Sequence, residues 1–443
     1  MHLNVDHYLA ALRGEVPLQA IAHHAASHLA EVCPVCASEA ERSAFAPLLP
    51  ATVNEAGRDP AADPCYLTRR SVEEAKERLA LLRAIATEAR QDLRRLQRLP
   101  QNRWRVRVAA SRTRMRSRTF GELLIAESRA RVRTEPLAAA ALAELVPLAL
   151  RWAADRRERL PWVASLLDRA AAHRANALRV AGDLPAADRI FSEIAASVPE
   201  RPAIGPAASA EIASLEASLR TDQRRFQEAA DRLRVAVEDY RSAAQPSEAA
   251  RALIKQANLM RTVGQPDEAV PTFERAAAEL SSAVDPYLLA TTVTGRVNAL
   301  CDLDRSAEAE PLLQQYRDLY LDADDMHLAA NFTLLAGRVA LGLGRLEEAE
   351  DRLAEARDRL LALDRDYDAV LTSLYLADVL LAAGKTAELK RLAADLVPLF
   401  RARDVAREAL AALRLFAEAA RTEHVTAAVL SEARRRLHER SAP

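Results

Sequence analysis

The chain has 443 residues, of which half are hydrophobic, only 4% are aromatic and just 11 are glycine. This composition favours helices over strands, and the chain is too long for one compact core unless it is built from repeats. The formal net charge of −1 gives no overall attraction to nucleic acid or to a membrane surface.

The chain also lacks the sequence features of an exported or membrane protein. Its first residues, MHLNVDHYLAALRGEV, have neither the basic region nor the apolar core that is typical of a signal peptide. The longest apolar run, from Leu137 to Leu150, is interrupted by Glu144 and is shorter than the roughly 20 residues of a membrane helix. Four cysteines in a chain of this size do not make a disulfide framework. We therefore expect a cytoplasmic protein.

Four regions follow one another along the chain. Residues 1–43 hold a short helical segment with several histidines and a cysteine pair, and residues 44–70 carry four prolines and are typical of a linker. Residues 71–160 are predicted to be helical and Arg-rich, with helices over 119–133 and 135–156 forming a hairpin. Residues 161–443 are repetitive.

The N-terminal segment contains candidate metal ligands. Two thiolates in a C-x-x-C turn, Cys33 and Cys36, can reach one metal ion, and His28, about one helical turn upstream, can supply a third ligand. The segment resembles the zinc-binding domain of bacterial anti-sigma factors in Gly14-Glu15, His28-Leu29 and the cysteine pair, although four residues separate His28 from Cys33 where that family has three.

This resemblance implies a structural zinc ion and a sigma-factor-like or other regulatory partner. The fourth ligand is left open between His24, His2 and His7. Two other interpretations of the cysteine pair are ordinary thiols at a helix start and a redox pair, although no βαβ pattern accompanies it.

A run of arginines without acidic residues follows in the third region, between residues 103 and 118. It comprises Arg103, Arg105, Arg107, Arg112, Arg114, Arg116 and Arg118. Such a patch could bind phosphates, RNA or an acidic partner. The alternative is a solvated helix face that docks on the acidic repeats, because 58 of the 62 basic residues of this chain are arginines.

From about residue 161 a pattern recurs every 40 residues or so. Small residues stand at Ala175, Ala217, Ala257, Gly337 and Ala377, with Val297 as the exception, and turn positions follow seven residues later at Gly182, Arg224, Gly264, Asp304, Gly344 and Gly384. The turns are spaced by 42, 40, 40, 40 and 40 residues. Five residues after each turn stands a further apolar position, occupied by Ala187, Ala229, Ala269, Ala309, Ala349 and Leu389. Four residues after that, the first five repeats carry a larger apolar residue, at Phe191, Leu233, Phe273, Leu313 and Leu353. Small residues permit close helix crossings and glycine suits the turn.

This register resembles the tetratricopeptide repeat, whose usual period is about 34 residues. The resemblance covers residues 165–440 and implies an all-α fold, an α-solenoid of helical hairpins with a degenerate seventh unit as its cap.

In tetratricopeptide arrays the residue after the small position of each first helix points into the binding groove. The predicted site comprises Asn176, Arg179, Ser218, Asn258, Arg261 and Asn298. Asparagine is a poor helix former, and its carboxamide both donates and accepts hydrogen bonds, which suits a peptide main chain. The resemblance to peptide-binding members of the family implies the same role, and the arginines favour an acidic ligand. The alternative is that these side chains cap or cross-link neighbouring helices.

The sequence carries no phosphate-binding loop, no dinucleotide fingerprint and no nucleophile elbow. It therefore predicts a non-catalytic, protein- or peptide-binding regulatory or adaptor protein of bacterial type, linked to transcription through its N-terminal segment. Two alternatives are a nucleic-acid-associated protein that uses the arginine run and a metal-free assembly scaffold.

Overall fold

The fold is described from a computed structural model of the chain. The structure describes residues 84–111, 115–151, 161–198, 203–280, 285–321, 325–402, 416–417, 420 and 425–438. All the regular secondary structure in these residues is helical. Within the same ranges no helix is both long enough and apolar enough to cross a membrane.

The helices before the repeats are α1 (84–97), α2 (Gln101–Ala110), α3 (Arg118–Arg131), α4 (Pro136–Glu144) and the short α5 (Val146–Ala149). Helices α3 and α4 pack against each other as the predicted hairpin. The helix expected over 135–156 ends early, at Glu144. Pro147 lies in the first turn of α5, where its missing N–H is tolerated, but it could not continue α4 without removing a hydrogen bond.

Six helical hairpins follow. They are α6 (Pro161–Val180) with α7 (Leu184–Ser197), α8 (Pro206–Asp222) with α9 (Phe226–Ser242), α10 (Pro246–Thr262) with α11 (Pro266–Glu279), α12 (Pro286–Asp302) with α13 (Ser306–Gln315), α15 (Met326–Gly342) with α16 (Leu346–Ala362), and α17 (Asp366–Ala382) with α18 (Thr386–Ala402). The short α14 (Arg317–Leu321) follows α13, and α19 (Ala427–His438) is the last described helix. The predicted repeats are therefore confirmed as hairpins.

The turns within the six hairpins lie at the predicted positions. Each turn residue has a positive φ, from +57° at Asp304 to +91° at Gly182. At the first turn the N–H of Asp183 donates to the carbonyl of Leu178 and the N–H of Gly182 to that of Arg179, both at 2.9 Å. The same pair of hydrogen bonds recurs at the other five turns. This is the Schellman arrangement, and it satisfies the last carbonyls of each first helix.

The small residues of the repeat lie where helices approach closely. Ala175, Ala217, Ala257 and Ala377 are at most 1% exposed, and a Cβ atom at Gly337 would lie 2.7 Å from Cγ of Leu353. The exception at Val297 has a neighbour that explains it. Two residues earlier, Gly295 faces the ring of Phe273 so closely that a Cβ atom would overlap the ring.

The chain divides into two compact units, Met1–Pro246 and Ser247–Pro443. In the first unit, α1–α5 bury Leu96, Phe120 and Leu142 together with Leu166 of α6. In the second unit, Leu353, Leu374 and Leu430 belong to one core built from α15–α19. Each unit thus buries its apolar surface mainly between successive hairpins, as expected for a repeat architecture.

Candidate functional site: a polar ladder on the first helices

The first helices carry a row of polar side chains at the predicted groove position and three or four residues further on. We call this row the polar ladder. Its members are Asn176, Arg179, Ser218, Asp222, Asn258, Arg261, Asn298, Asp302, Arg338 and Asp378. Many of these side chains bond to the first helix of the neighbouring hairpin, so the ladder joins repeats as well as presenting polar groups.

In the first unit one rung joins α6 to α8. Nε of Arg179 donates to Oδ1 of Asn176 at 3.0 Å, and Nη1 of Arg179 donates to Asp222 at 2.7 Å. Asn176 and Arg179 are both 8% exposed. The hydroxyl of Ser218 donates to the carbonyl of Ser214 at 3.2 Å within its own helix. These contacts match the cross-linking alternative, because the buried Arg179 bonds both to Asn176 on its own helix and to Asp222 on the next hairpin.

In the second unit the corresponding rung is centred on Asp302. Arg261 donates from Nε and Nη2 to Oδ2 of Asp302 at 3.0 and 2.7 Å. Arg338, which is 8% exposed, donates from Nη2 to Oδ1 of Asp302 at 2.9 Å and from Nη1 to Oδ1 of Asn298. One carboxylate therefore joins three successive first helices, α10, α12 and α15.

The rung continues through an aromatic ring. The guanidinium carbon of Arg338 lies 4.3 Å from the ring centroid of Tyr375, and that of Arg434 on α19 lies 5.2 Å from the same centroid. Arg434 also donates to Asp378 at the groove position of α17. Cation–π contacts of this kind are strongest where they are desolvated, and Tyr375 is only 7% exposed.

The ladder aspartates differ in acidity according to how far the neighbouring guanidiniums offset the burial of each carboxylate. Burial by itself would raise the pKa of Asp302, but Arg261 and Arg338 outweigh it and lower the pKa from 3.8 to about 2. Burial raises the pKa of Asp222, because the single Arg179 does not compensate for the lost hydration. Burial also raises the pKa of Asp378, because Arg434, which bonds to it, and Arg338, which acts through its charge alone, do not compensate for the lost hydration. Among these three aspartates, Asp302 is the one that two guanidiniums bond directly, and its pKa is the one that is lowered.

Two asparagines of the second unit keep free hydrogen-bonding groups. Asn258 is exposed, and its carboxamide makes no hydrogen bond to any residue that the structure describes. Asn298 is half-buried, and its oxygen accepts from Arg338. A guanidinium has no acceptor, so it fixes the orientation of this amide: the oxygen faces Arg338 and the NH₂ group points away. Asn258 can donate and accept, and Asn298 can donate.

A second polar cluster lies one to two turns earlier on the same first helices of the first unit. Arg169 on α6 donates to Glu211 on α8 at 2.5 Å and to Glu122 on α3 at 2.8 Å. His173, only 4% exposed, lies 2.7 Å from the other oxygen of Glu211. Burial would raise the pKa of Glu211, but Arg169 and His173 outweigh it and hold the pKa well below its ordinary value. The cluster is a fully paired cross-link between three helices.

Two aspartates of the ladder, Asp222 and Asp302, were not predicted from the sequence. The signal was present, because arginine stands three residues after the groove position in the first and third repeats, at Arg179 and Arg261, and aspartate stands four residues after it in the second and fourth, at Asp222 and Asp302. A comparison of each repeat with the one that follows it would have found these pairs of opposite charge.

The other predicted site residues are placed as follows. Arg103, Arg105 and Arg107 lie on α2, whereas Arg118 begins α3 and its guanidinium carbon lies 5.4 Å from the ring centroid of Trp162. Arg112, Arg114, His24, His28, Cys33 and Cys36 lie outside the described residues. Within the described ranges no group of three or more His, Cys, Asp or Glu side chains is placed to hold a metal ion.

Residues 207–339 match the family model of the soluble NSF attachment protein, SNAP. The crystal structure of a Rap protein complexed with competence and sporulation factor is similar over 71% of this chain and 85% of that chain, with 14% identity and a TM-score of 0.51. BtubC (BKLC) from P. vanneervenii is similar over 55% of this chain and 92% of that one, with 16% identity and a TM-score of 0.42. Aspartyl phosphate phosphatase F from Bacillus subtilis is similar over 69% and 94%, with 14% identity and a TM-score of 0.43.

No curated protein sequence matches the chain. The SNAP match and the Rap fold agree with the hairpins and turns described above. The described residues therefore have a helical-repeat fold of the tetratricopeptide type.

Proposed function

We infer that the chain is a non-catalytic regulatory or adaptor protein that binds a polypeptide on the first-helix face of α10 and α12, through the free amide groups of Asn258 and Asn298. Two observations carry this proposal together: the carboxamide of Asn258 is unbonded, and Arg338 orients the carboxamide of Asn298 so that its NH₂ group is left to donate. An extended main chain offers alternating N–H and C=O groups, which carboxamides match.

Arg179 and Arg261 are not the groups that select the ligand in this proposal. Each guanidinium already bonds to an aspartate of the next hairpin, so each is charge-compensated before any ligand arrives. Recognition therefore rests on main-chain hydrogen bonding, and sequence preference comes from the ligand side chains that pack beside it. The Rap protein whose fold is similar was crystallised with competence and sporulation factor, which agrees with a polypeptide ligand.

The N-terminal segment supplies a second, separate part of the proposal. His28, Cys33 and Cys36, with His24 as a further candidate, would hold a structural zinc ion, and the small module would recognise a regulatory protein linked to transcription. The motif CPVC and the upstream histidines support this part.

The groove proposal is tested with Asn258→Asp and Asn298→Asp in the full chain. Aspartate keeps an acceptor oxygen for Arg338 at position 298 but removes the N–H donors, so the substitution isolates the donor function. Gln314→Glu is the matched control, because it makes the same amide-to-acid change at an exposed position on α13. Polypeptides that co-purify with each variant are quantified by mass spectrometry.

We expect the double variant to lose the wild-type partner by about tenfold or more, the loss that follows from two missing hydrogen bonds. Gln314→Glu should retain the partner. An unchanged set of partners in the double variant, with its unfolding midpoint also unchanged, would refute the groove proposal.

A further inference from the structure

The hairpin formed by α1 and α2 carries far more positive charge than it can neutralise. Residues 84–110 contain seven arginines, namely Arg90, Arg94, Arg95, Arg98, Arg103, Arg105 and Arg107, but only two acidic residues, Glu88 and Asp92. Arg90 and Arg94 are four residues apart and lie along one side of α1, and Arg98 extends this row at the residue that follows the helix, where its N–H still donates to the carbonyl of Arg94. Arg103 and Arg107 are spaced in the same way on α2.

Five of these guanidiniums have no partner among the residues that the structure describes. Arg95 bonds to the buried Asp92 at 3.0 Å, and Arg105 bonds to Glu144 at 3.1 Å. The five other arginines are exposed and make no ion pair or side-chain hydrogen bond with the described part of the chain.

Several surface arginines of the repeat hairpins are instead paired within their own hairpin. Arg225, Arg305 and Arg365 each pair with an acidic residue three positions further along the chain, at Glu228, Glu308 and Asp368. Such pairs stabilise a helix slightly, whereas like charges four residues apart destabilise it. The unpaired rows on α1 and α2 are therefore a stability cost that a partner with negative charge would remove.

The apolar surface of the hairpin identifies the kind of partner. Val106 is 69% exposed and lies three residues after Arg103, so these two side chains are neighbours on the surface of α2. Arg107, four residues after Arg103, is the neighbour of Arg103 on its other flank. Trp104 is the one aromatic residue of this segment, but it is 5% exposed and its Nε1 donates to the carbonyl of Leu99 at 2.9 Å. A single-stranded nucleic acid would need exposed rings for base stacking. An exposed aliphatic side chain at the edge of a row of guanidiniums instead suits an acidic protein helix with an apolar stripe.

We propose that the α1–α2 hairpin is a docking surface for an acidic amphipathic helix of a partner protein. An apolar side chain of that helix packs on Val106, and its carboxylates pair with Arg103 and Arg107. The row of Arg90, Arg94 and Arg98 belongs to the same packed hairpin, because Leu93 and Leu96 of α1 share a core with Trp104 and Val108 of α2. It extends the charged surface to a longer acidic segment. This surface is independent of the groove on α10 and α12.

The test uses the full chain and fluorescence anisotropy with three labelled probes. The first is a designed 18-residue helical peptide, on the order of five turns long, with glutamates flanking a leucine stripe. The second is a peptide of the same composition with the stripe scrambled, and the third is a 20-mer of double-stranded DNA, about two helical turns. The variants are Val106→Ser and the double charge reversal Arg103→Glu, Arg107→Glu. Arg174→Glu and Arg189→Glu together form the matched control, because both arginines are exposed on repeat helices and neither pairs with any described residue.

The proposal predicts that the wild-type chain binds the striped peptide more tightly than the scrambled one. The charge reversal should weaken that binding by about tenfold, since two favourable ion pairs become two unfavourable ones. Val106→Ser should make the two peptides equivalent, and the control should bind like the wild type. Failure of the wild type to prefer the striped peptide overturns the proposal. So does tighter binding of the DNA that is insensitive to Val106→Ser and falls steeply with salt, which would assign the surface to nucleic acid.

Discussion

Asp302 joins Arg261 and Arg338 in the second compact unit, and its replacement by asparagine removes the charge while keeping the shape of the side chain. The variant would leave two half-buried or buried guanidiniums without a counter-charge, since the side chains of Arg261 and Arg338 are only 16% and 8% exposed. Leaving one member of a buried pair uncompensated is strongly destabilising. Because the side chain of Asp302 itself is 30% exposed, solvent reduces the effect.

The pKa of Asp302 gives the magnitude. Its depression from 3.8 to about 2 corresponds to about 2 kcal/mol of folding free energy at neutral pH. A depressed carboxylate pKa contributes stability that is complete above its unfolded value and is lost as the pH falls through the folded value. The difference between the wild type and Asp302→Asn should therefore be constant above about pH 5, fall to roughly half near pH 3 and vanish below about pH 2.

The chain offers a built-in way to localise this effect. Its three tryptophans, Trp104, Trp152 and Trp162, all belong to the first compact unit. Urea unfolding followed by tryptophan fluorescence therefore reports on that unit, whereas circular dichroism reports on helices throughout the chain. We expect Asp302→Asn to lower the stability of the transition that is seen by circular dichroism but not by fluorescence.

The matched control is Asp358→Asn, which removes an aspartate that is 66% exposed and pairs with Arg357 on α16. A surface pair of this kind contributes less than about 1 kcal/mol. A loss in Asp302→Asn no larger than that of the control, or a loss that persists undiminished at pH 2, would show that the ladder carboxylate does not stabilise the second unit electrostatically.

Three further predictions concern the metal, the turns and the helix contacts. The purified chain should contain about one zinc ion per molecule and a Cys33→Ser, Cys36→Ser variant should contain none, by elemental analysis; equal zinc in both would contradict the proposed ligands. Asp304→Gly should raise the stability of the second unit by up to about 1 kcal/mol, because Asp304 has a φ of +57°, whereas Gly264→Ala at φ +80° should lower it by about 1–2 kcal/mol in the same urea titration. A loss of stability in Asp304→Gly together with a gain in Gly264→Ala would refute the turn assignment. Gly295→Ala should destabilise the second unit by about 1–3 kcal/mol, because the added methyl group overlaps the ring of Phe273. The smaller side chain of Phe273→Leu should partly restore stability in the double variant. Absence of this rescue would show that the two residues are not in contact.

The sequence was sufficient for the repeat register because local rules determine it. A positive φ at the hairpin turn favours glycine, and a close crossing favours alanine, so both leave residues in every repeat. Arg224 and Asp304 adopt the same left-handed turn without being glycine, and only their position in the 40-residue period identified them.

The ladder was only partly predictable. Asn176 and Asn258 occupy equivalent sequence positions, yet the first is bonded and buried and the second is exposed and free. The difference arises because Arg179 divides its guanidinium between Asn176 and Asp222, while Arg261 directs both bonding nitrogens to Asp302. That choice depends on the geometry of the neighbouring hairpin, which no single repeat encodes.

The alternation of arginine and aspartate along the ladder also limits how such a chain can gain or lose repeats. Arg261 of the third repeat needs the aspartate that the fourth repeat supplies at position 302, and the fifth repeat has Gly342 in the equivalent place. Excision of the fourth repeat alone would set that glycine beside Arg261 and leave its guanidinium without a carboxylate. Over the first four repeats, the bonds of Arg179 to Asp222 and of Arg261 to Asp302 are therefore preserved when the two hairpins that share a rung are duplicated or removed together.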